Sequence, residues 1–308
     1  MTTFTITPDA PFSLAASAAF GFGPNMGRPR PDGAQMRLAF VTDDFQHQVG
    51  VHLTQSEDGP VHATVAGQAD PAAVERQVRR VLGLDHPGAG WLDVGDRDPV
   101  IGDLQAAHPG FRPVLFHSPY EAAAWSIISA RRRRAQAAAL RTRLAQAFGR
   151  GFTLGDEPAD AFPTPRRLLA VEEFPGLDPV RITRLHAVAR AALDGALDPA
   201  RLTALDPGQA LAGLQKLPGI GPTYATLILL RATGAADVLT YTEPRLASYA
   251  AHFYRTGPDP MSAAQLADVA EKWRPYRTWA AVLIRMAGDQ ISAKMGELGR
   301  AHRPHAPP

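Results

Sequence analysis

The segment Leu214–Gly234, LQKLPGIGPTYATLILLRATG, carries the sharpest chemistry in the sequence. Two apolar helical runs are joined by LPGIG, in which Gly219 and Gly221 let the backbone take conformations closed to other residues. Such a turn can aim the amides that open the second helix outward, where a phosphate oxygen accepts them. Contacts of this kind hold a nucleic-acid backbone without reading its bases. A bare GxG also suits an ordinary helix–turn–helix corner, whereas the complete LPGIG between two apolar helices favours the phosphate site. A second feature is Arg131–Arg134, four arginines between two helical segments, which reads as a solvated face or a phosphate patch. The chain has no cysteine, so disulfides, thiol nucleophiles, cysteine-ligated zinc and iron–sulfur clusters are excluded. No cluster of ligands supports catalytic zinc, and His302 and His305 fall in a Pro/His-rich tail that reads as frayed chain.

These residues need a scaffold, and 308 residues are enough for about two domains with buried cores. No apolar run is long enough to span a membrane. The apolar stretch Phe12–Phe22 has no basic residue ahead of it, so no signal leader is read and a cytoplasmic location is expected. Net charge is only +2, but its distribution is uneven. Residues 1–118 hold 8 basic and 13 acidic residues, while 119–308 hold 24 and 17. A polyanionic partner would therefore meet the second part.

Alternation in FTIT (4–7), MRLAFV (36–41), QHQVGVHLT (46–54) and VHATVA (61–66) predicts a small antiparallel sheet. Behind Asp70, a suitable N-cap, Val74, Val78, Val81 and Leu82 recur at helical spacing. From Tyr120 onward nearly every segment has a helical period, at 120–129, 135–149, 163–171, 179–195, 209–217, 222–234 and 274–288. Pro165, Pro222 and Pro275 fall where first helical turns are expected. The expectation is an α+β protein: an N-terminal α+β domain over 1–115, a helical domain over 116–300 and a disordered tail over 301–308.

Taken together, LPGIG, HPGFRPVLFHSPYEAAAWSIIS (108–129), AFPTPRRLLA (161–170), ALDGALD (192–198), DVLTYTEPRL (237–246) and KWRPYRTWAAVLI (272–284) resemble the helix–hairpin–helix DNA glycosylases. The likeness is to the bacterial DNA-3-methyladenine glycosylase II type, whose strand-rich N-terminal domain the sequence shares, and it covers most of the chain. The resemblance implies a repair enzyme that flips an alkylated base out of duplex DNA and hydrolyses its bond to the sugar through an oxocarbenium-like state. It implies no cofactor beyond a monovalent cation held by hairpin carbonyls near Leu217 and Ile220. It also implies a monomer acting on double-stranded DNA, with no membrane partner.

Residue by residue, the resemblance assigns DNA contacts to Leu217, Gly219, Ile220, Gly221 and Thr223 in the hairpin, and to Arg131, Arg132 and Arg133. Arg131 matches the residue wedged into the gap left by the flipped base. The carboxylate that stabilises the sugar cation aligns with Glu243, where the family carries aspartate. The extra methylene displaces that carboxylate by about 1 Å, and such a shift can cost ~100-fold in rate. Asp237 matches a helix-end aspartate, not the catalytic one. Thr223 stands where some members place a Schiff-base lysine, so hydrolysis without a lyase step is expected. The base pocket is assigned to Phe20, Tyr224, Trp125 and Arg285. Thr223 and Arg285 replace tryptophans that stack cationic bases in the family, and an arginine there would repel such a base unless paired. Trp273 and Trp279 read as core. The alternatives are a non-catalytic or altered-specificity DNA-binding relative of the same fold, or a small-molecule hydrolase reusing the scaffold.

Overall fold

The computed structural model describes residues 2–20, 34–56, 59–239 and 244–301. Two compact units form, and neither is continuous in sequence: Met1–Ala89 with Pro109–Ala235, and Gly90–His108 with Ala236–Pro308.

The first unit begins with β1 (Thr2–Ile6), α1 (Leu14–Ala19), β2 (Ala34–Val41), β3 (Gln48–Gln55) and β4 (Val61–Ala66). These strands pair antiparallel in the order β1-β4-β3-β2. Alternation explains β4, where Val61, Ala63 and Val65 are buried and His62 and Thr64 face water. The apolar set packs under α2 (Pro71–Val81), through Val74, Val78 and Val81. Asp70 caps α2 by accepting from the amides of Ala72 and Ala73, as its position in the sequence predicts.

After α3 (Gly88–Arg97) and α4 (Pro99–Ala107), the first unit resumes with α5 (Pro119–Ser129) and α6 (Arg134–Phe148). Every residue of α5 from Pro119 to Ile128 is buried, so this apolar helix is the centre of the unit. The helical period expected to run through the rest of the chain is interrupted by a hairpin, β5 (Arg150–Leu154) with β6 (Glu157–Ala161). Its strands are short, mostly polar and contain Pro158, which removes the usual apolar alternation. Phe152 and Leu154 lie over β3 at Gly50, where an added Cβ would come within 2.8 Å of either side chain. The remaining helices are α7 (Pro165–Leu169), α8 (Pro179–Leu193), α9 (Pro199–Ala204), α10 (Pro207–Leu214) and α11 (Pro222–Ala232). Pro165 and Pro222 open their helices as expected.

The second unit adds α12 (Pro244–Tyr254), α13 (Ala263–Glu271) and α14 (Arg277–Ala301) to α4 and most of α3. Pro275 does not open the last helix: it follows a cis Arg274–Pro275 bond and α14 starts at Arg277. Asp98, 1% exposed, ties the unit together. It caps α4 through the amides of Val100 and Ile101 and accepts from Tyr254 Oη at 2.6 Å and Trp273 Nε1 at 3.1 Å. Trp273 and Trp279 are core residues, the latter ringed by Trp91 and Tyr276. The tail histidines lie outside the described residues.

One buried ion group joins the sheet to α5. Glu121, 3% exposed, accepts from the Val41 amide at 3.1 Å, from Arg141 Nη2 at 2.7 Å and bonds His117 Nδ1 at 3.2 Å. Burial pushes its pKa up, but the His117 and Arg141 charges and the Val41 amide prevail and hold it at about 2. A carboxylate depressed in the folded state stabilises above its unfolded pKa, and that contribution fades as pH falls from about 4.5 toward 2. Glu121→Gln is expected to flatten the loss of stability across that window. At neutral pH it should cost about 3 kcal/mol, because the half-buried Arg141 loses its charged partner; denaturant melts of both proteins at a series of pH values measure this.

Candidate functional site

The hairpin predicted from LPGIG is present, with α10 and α11 joined through residues 215–221. Stepwise bonds from Leu217 N–H to the Leu214 carbonyl and from Ile220 N–H to the Leu217 carbonyl tighten the turn. Ile220 is buried and anchors it, while Gly219, Gly221 and Thr223 are exposed and Leu217 and Tyr224 half-buried.

The two glycines have different reasons to be glycine. Gly219 has φ +90°, and an added Cβ would lie 2.8 Å from Arg184 Cδ on α8 and 2.9 Å from Ile127 Cδ1 on α5. Gly221, expected to need a glycine-only conformation, does not: its φ of −85° and ψ of −177° are open to any residue, and nothing lies within 4 Å of where its Cβ would be. What Gly221 withholds is a side chain at the N-cap of α11. Pro222 has no N–H, so the orphan amides of Thr223 and Tyr224 have no acceptor within the helix and none from a cap. Every other helix with a described N-cap, apart from α6, has a Ser, Thr or Asp that accepts from its own first turn.

The second bare helix start is α6, whose N-cap is Arg133. It follows the arginine run, and the packing of Gly219 on Ile127 brings the hairpin beside the end of α5, one turn before that run. Two motifs that are far apart in sequence are thus linked through α5. Arg131 is exposed and held at φ +57°, a left-handed conformation that costs a non-glycine residue on the order of 1 kcal/mol. Arg133 is exposed as well. Arg132, assigned to DNA with them, is instead spent on the protein: its guanidinium donates to the carbonyls of Ile128 and Gly176 and ties the α5–α6 turn to the loop before α8.

Of the base-pocket assignments, Phe20 ends α1, half-buried, with Phe111 at its edge (ring centroids 5.5 Å apart) and Arg231 5.0 Å over its face. Trp125 is 7% exposed and stands inside α5, in the packing of the unit. Arg285 belongs to α14, in the second unit, where Nη2 faces Asp289 Oδ2 at 3.4 Å. Glu243 lies outside the described residues.

The chain that leads toward Glu243 is firmly based. Asp237 accepts from Arg277 Nε at 2.8 Å, from Arg274 Nη1 at 3.1 Å and from the Arg277 amide at 3.3 Å. Thr278 donates its amide to the Ala236 carbonyl and bridges the N–H and C=O of Val238 with its hydroxyl. Asp237 is thus a structural carboxylate fully engaged by arginines. Sequence reasoning set it aside as an acid but missed this clamp, although the paired arginines of KWRPYR were its visible signal. Among the described residues, no group of three or more His, Asp or Glu side chains could hold a metal ion.

No family model matches the chain. Over 186 residues it is 33% identical to DNA-3-methyladenine glycosylase 2 of Escherichia coli (strain K12), a match that spans 59% of this chain and 62% of that relative. Among solved structures it superposes on a 3-methyladenine DNA glycosylase from Archaeoglobus fulgidus with a TM-score of 0.74 at 20% identity, covering 94% of this chain and 99% of the other. An 8-oxoguanine glycosylase/lyase from Clostridium acetobutylicum follows at a TM-score of 0.56 and 18% identity, with 78% and 85% covered. The chain has the fold of the helix–hairpin–helix DNA glycosylases and resembles in sequence their DNA-3-methyladenine glycosylase II type.

Proposed function

We propose that this protein is a monofunctional DNA glycosylase, which grips duplex DNA by its phosphates and hydrolytically removes a damaged, alkylated base. The observation that carries the reading is the bare start of α11, in a chain where every other helix with a described N-cap, apart from α6, is capped by its own side chain. A helix start left open at an exposed turn, opposite no protein acceptor, suits an anion from outside. Arg131 and Arg133, exposed at the turn after α5, suit the same polyanion. The named relatives of the matched sequence and fold are DNA glycosylases, which supports the same partner.

In this reading the amides of Thr223 and Tyr224 and the exposed arginines fix the phosphates on either side of the lesion. Arg131, presented outward by its left-handed backbone, fills the gap in the stack once the nucleotide has turned out. The base stacks on Phe20. Glu243 stabilises the positive charge that grows on the sugar as the base departs, and water completes the hydrolysis. Thr223 supplies no amine, so no Schiff base forms and the strand stays intact. A monovalent cation would be held by the hairpin carbonyls of Leu217 and Ile220, where it would add positive charge beside the bound phosphate.

Two measurements test this. Single-turnover release of bases from methylated duplex DNA should be abolished in Glu243→Gln and kept in Glu243→Asp, with DNA binding unchanged in both. No release by the unaltered protein, with tight binding intact, would instead favour the non-catalytic relative. In Gly221→Asp the new side chain can cap α11. Stability should rise by roughly 1 kcal/mol while duplex affinity falls at least tenfold, because the carboxylate occupies and repels the phosphate position; thermal melts and fluorescence anisotropy read the two effects separately.

A further inference from the structure

The glycine of the hairpin turn makes room for an arginine as well as for an unusual backbone. Arg184, on α8, lays its side chain across the turn: a Cβ on Gly219 would meet its Cδ at 2.8 Å and its Nε at 3.1 Å. A side chain at 219 would force that stem to shift from where it lies. Arg184 is only half-buried, and among the described residues its guanidinium has no hydrogen bond or ion pair. Its neighbours differ. Arg181, one turn earlier on α8, pairs with Asp178 and donates to the Ala130 carbonyl. Arg132 holds the carbonyls of Ile128 and Gly176. Arg143 donates to the Pro175 carbonyl and lies over Phe174. Around the hairpin the protein commits these cations to its own acceptors and leaves Arg184 uncommitted, against the turn whose next helix opens with bare amides.

We infer that Arg184 is a DNA-backbone ligand, which completes the hairpin's phosphate site by adding a guanidinium fork to the amides of α11. The amides supply dipoles without net charge, whereas the fork supplies a full charge and two parallel donors to one phosphate. Gly219 is what allows both to reach the same anion: its positive φ turns the chain into α11, and its missing Cβ lets the arginine cross. This inference rests on the hairpin being the DNA grip, and it extends that grip to a helix the hairpin motif does not include.

The test is the salt dependence of binding to an undamaged duplex, compared for the unaltered protein, Arg184→Ala, Arg184→Lys and Gly221→Asp. Each neutralised phosphate contributes about 0.9 to the slope of log K against log salt. Arg184→Ala should therefore lower the magnitude of the slope by about one and weaken binding roughly tenfold near 0.1 M salt. Arg184→Lys should keep the slope, because the charge remains, and weaken binding only a few-fold. Unchanged melting temperatures for both variants would exclude a folding effect. If Gly221→Asp weakens binding while Arg184→Ala leaves slope and affinity as they were, the assignment of Arg184 is wrong and the hairpin site stands. If neither variant weakens binding, the hairpin is not the DNA grip and both inferences fall.

Discussion

A helix that starts without a cap leaves strong hydrogen-bond donors with nothing to bond, and that constraint organises the first unit around α11. Orphan amides are ordinarily met by a Ser, Thr or Asp at the N-cap, and this chain uses that solution at every helix with a described N-cap except α6 and α11. At α11 it uses glycine, in a backbone conformation that any residue could adopt. Stability on the order of 1 kcal/mol is left unclaimed there. The rest of the local structure keeps that end open and fixed: Ile220 is buried as an anchor, Ile127 and Arg184 pack on Gly219, and the fully buried α5 lies beneath.

Rigidity elsewhere comes from carboxylates engaged by several donors, two of them buried and the third, Asp237, partly exposed. Glu121 ties β2 to α5 and α6 through an amide, the His117 ring and the Arg141 guanidinium, and Asp98 ties α4 to Tyr254 and Trp273. Asp237 performs the same task between the segment 236–238 and the start of α14, at the base of the chain that continues toward Glu243. Removing a partner from Glu121 or Asp98 would leave an unpaired charge in a poorly solvated place. A catalytic carboxylate must be held to within a fraction of an ångström, and the Asp237–Thr278 clamp is the kind of fixed base that such placement needs.

Much of this was legible in the sequence because it is written in short-range rules. The antiparallel sheet follows from period-two alternation, α2 from Asp70 and its valines, and the hairpin from two apolar runs around LPGIG. What escaped depends on long-range packing. The β5–β6 hairpin carries only Phe152 and Leu154 as apolar alternation, and these two side chains cover Gly50. Arg132 was indistinguishable from Arg131 and Arg133 as text, and only the position of the Gly176 carbonyl separates a strut from two exposed cations. Motif reasoning treats both glycines as conformational, whereas only Gly219 has a positive φ and Gly221 sits in a backbone open to any residue.

The most direct test of the central claim is to follow the backbone amides by NMR while a short undamaged duplex is titrated into the full chain. The account predicts that the largest chemical-shift changes fall on the amides of Thr223 and Tyr224, with a second set at the start of α6 near Arg133, and that both fade as salt is raised. Changes concentrated elsewhere, with the amides that open α11 unmoved at saturation, would contradict it.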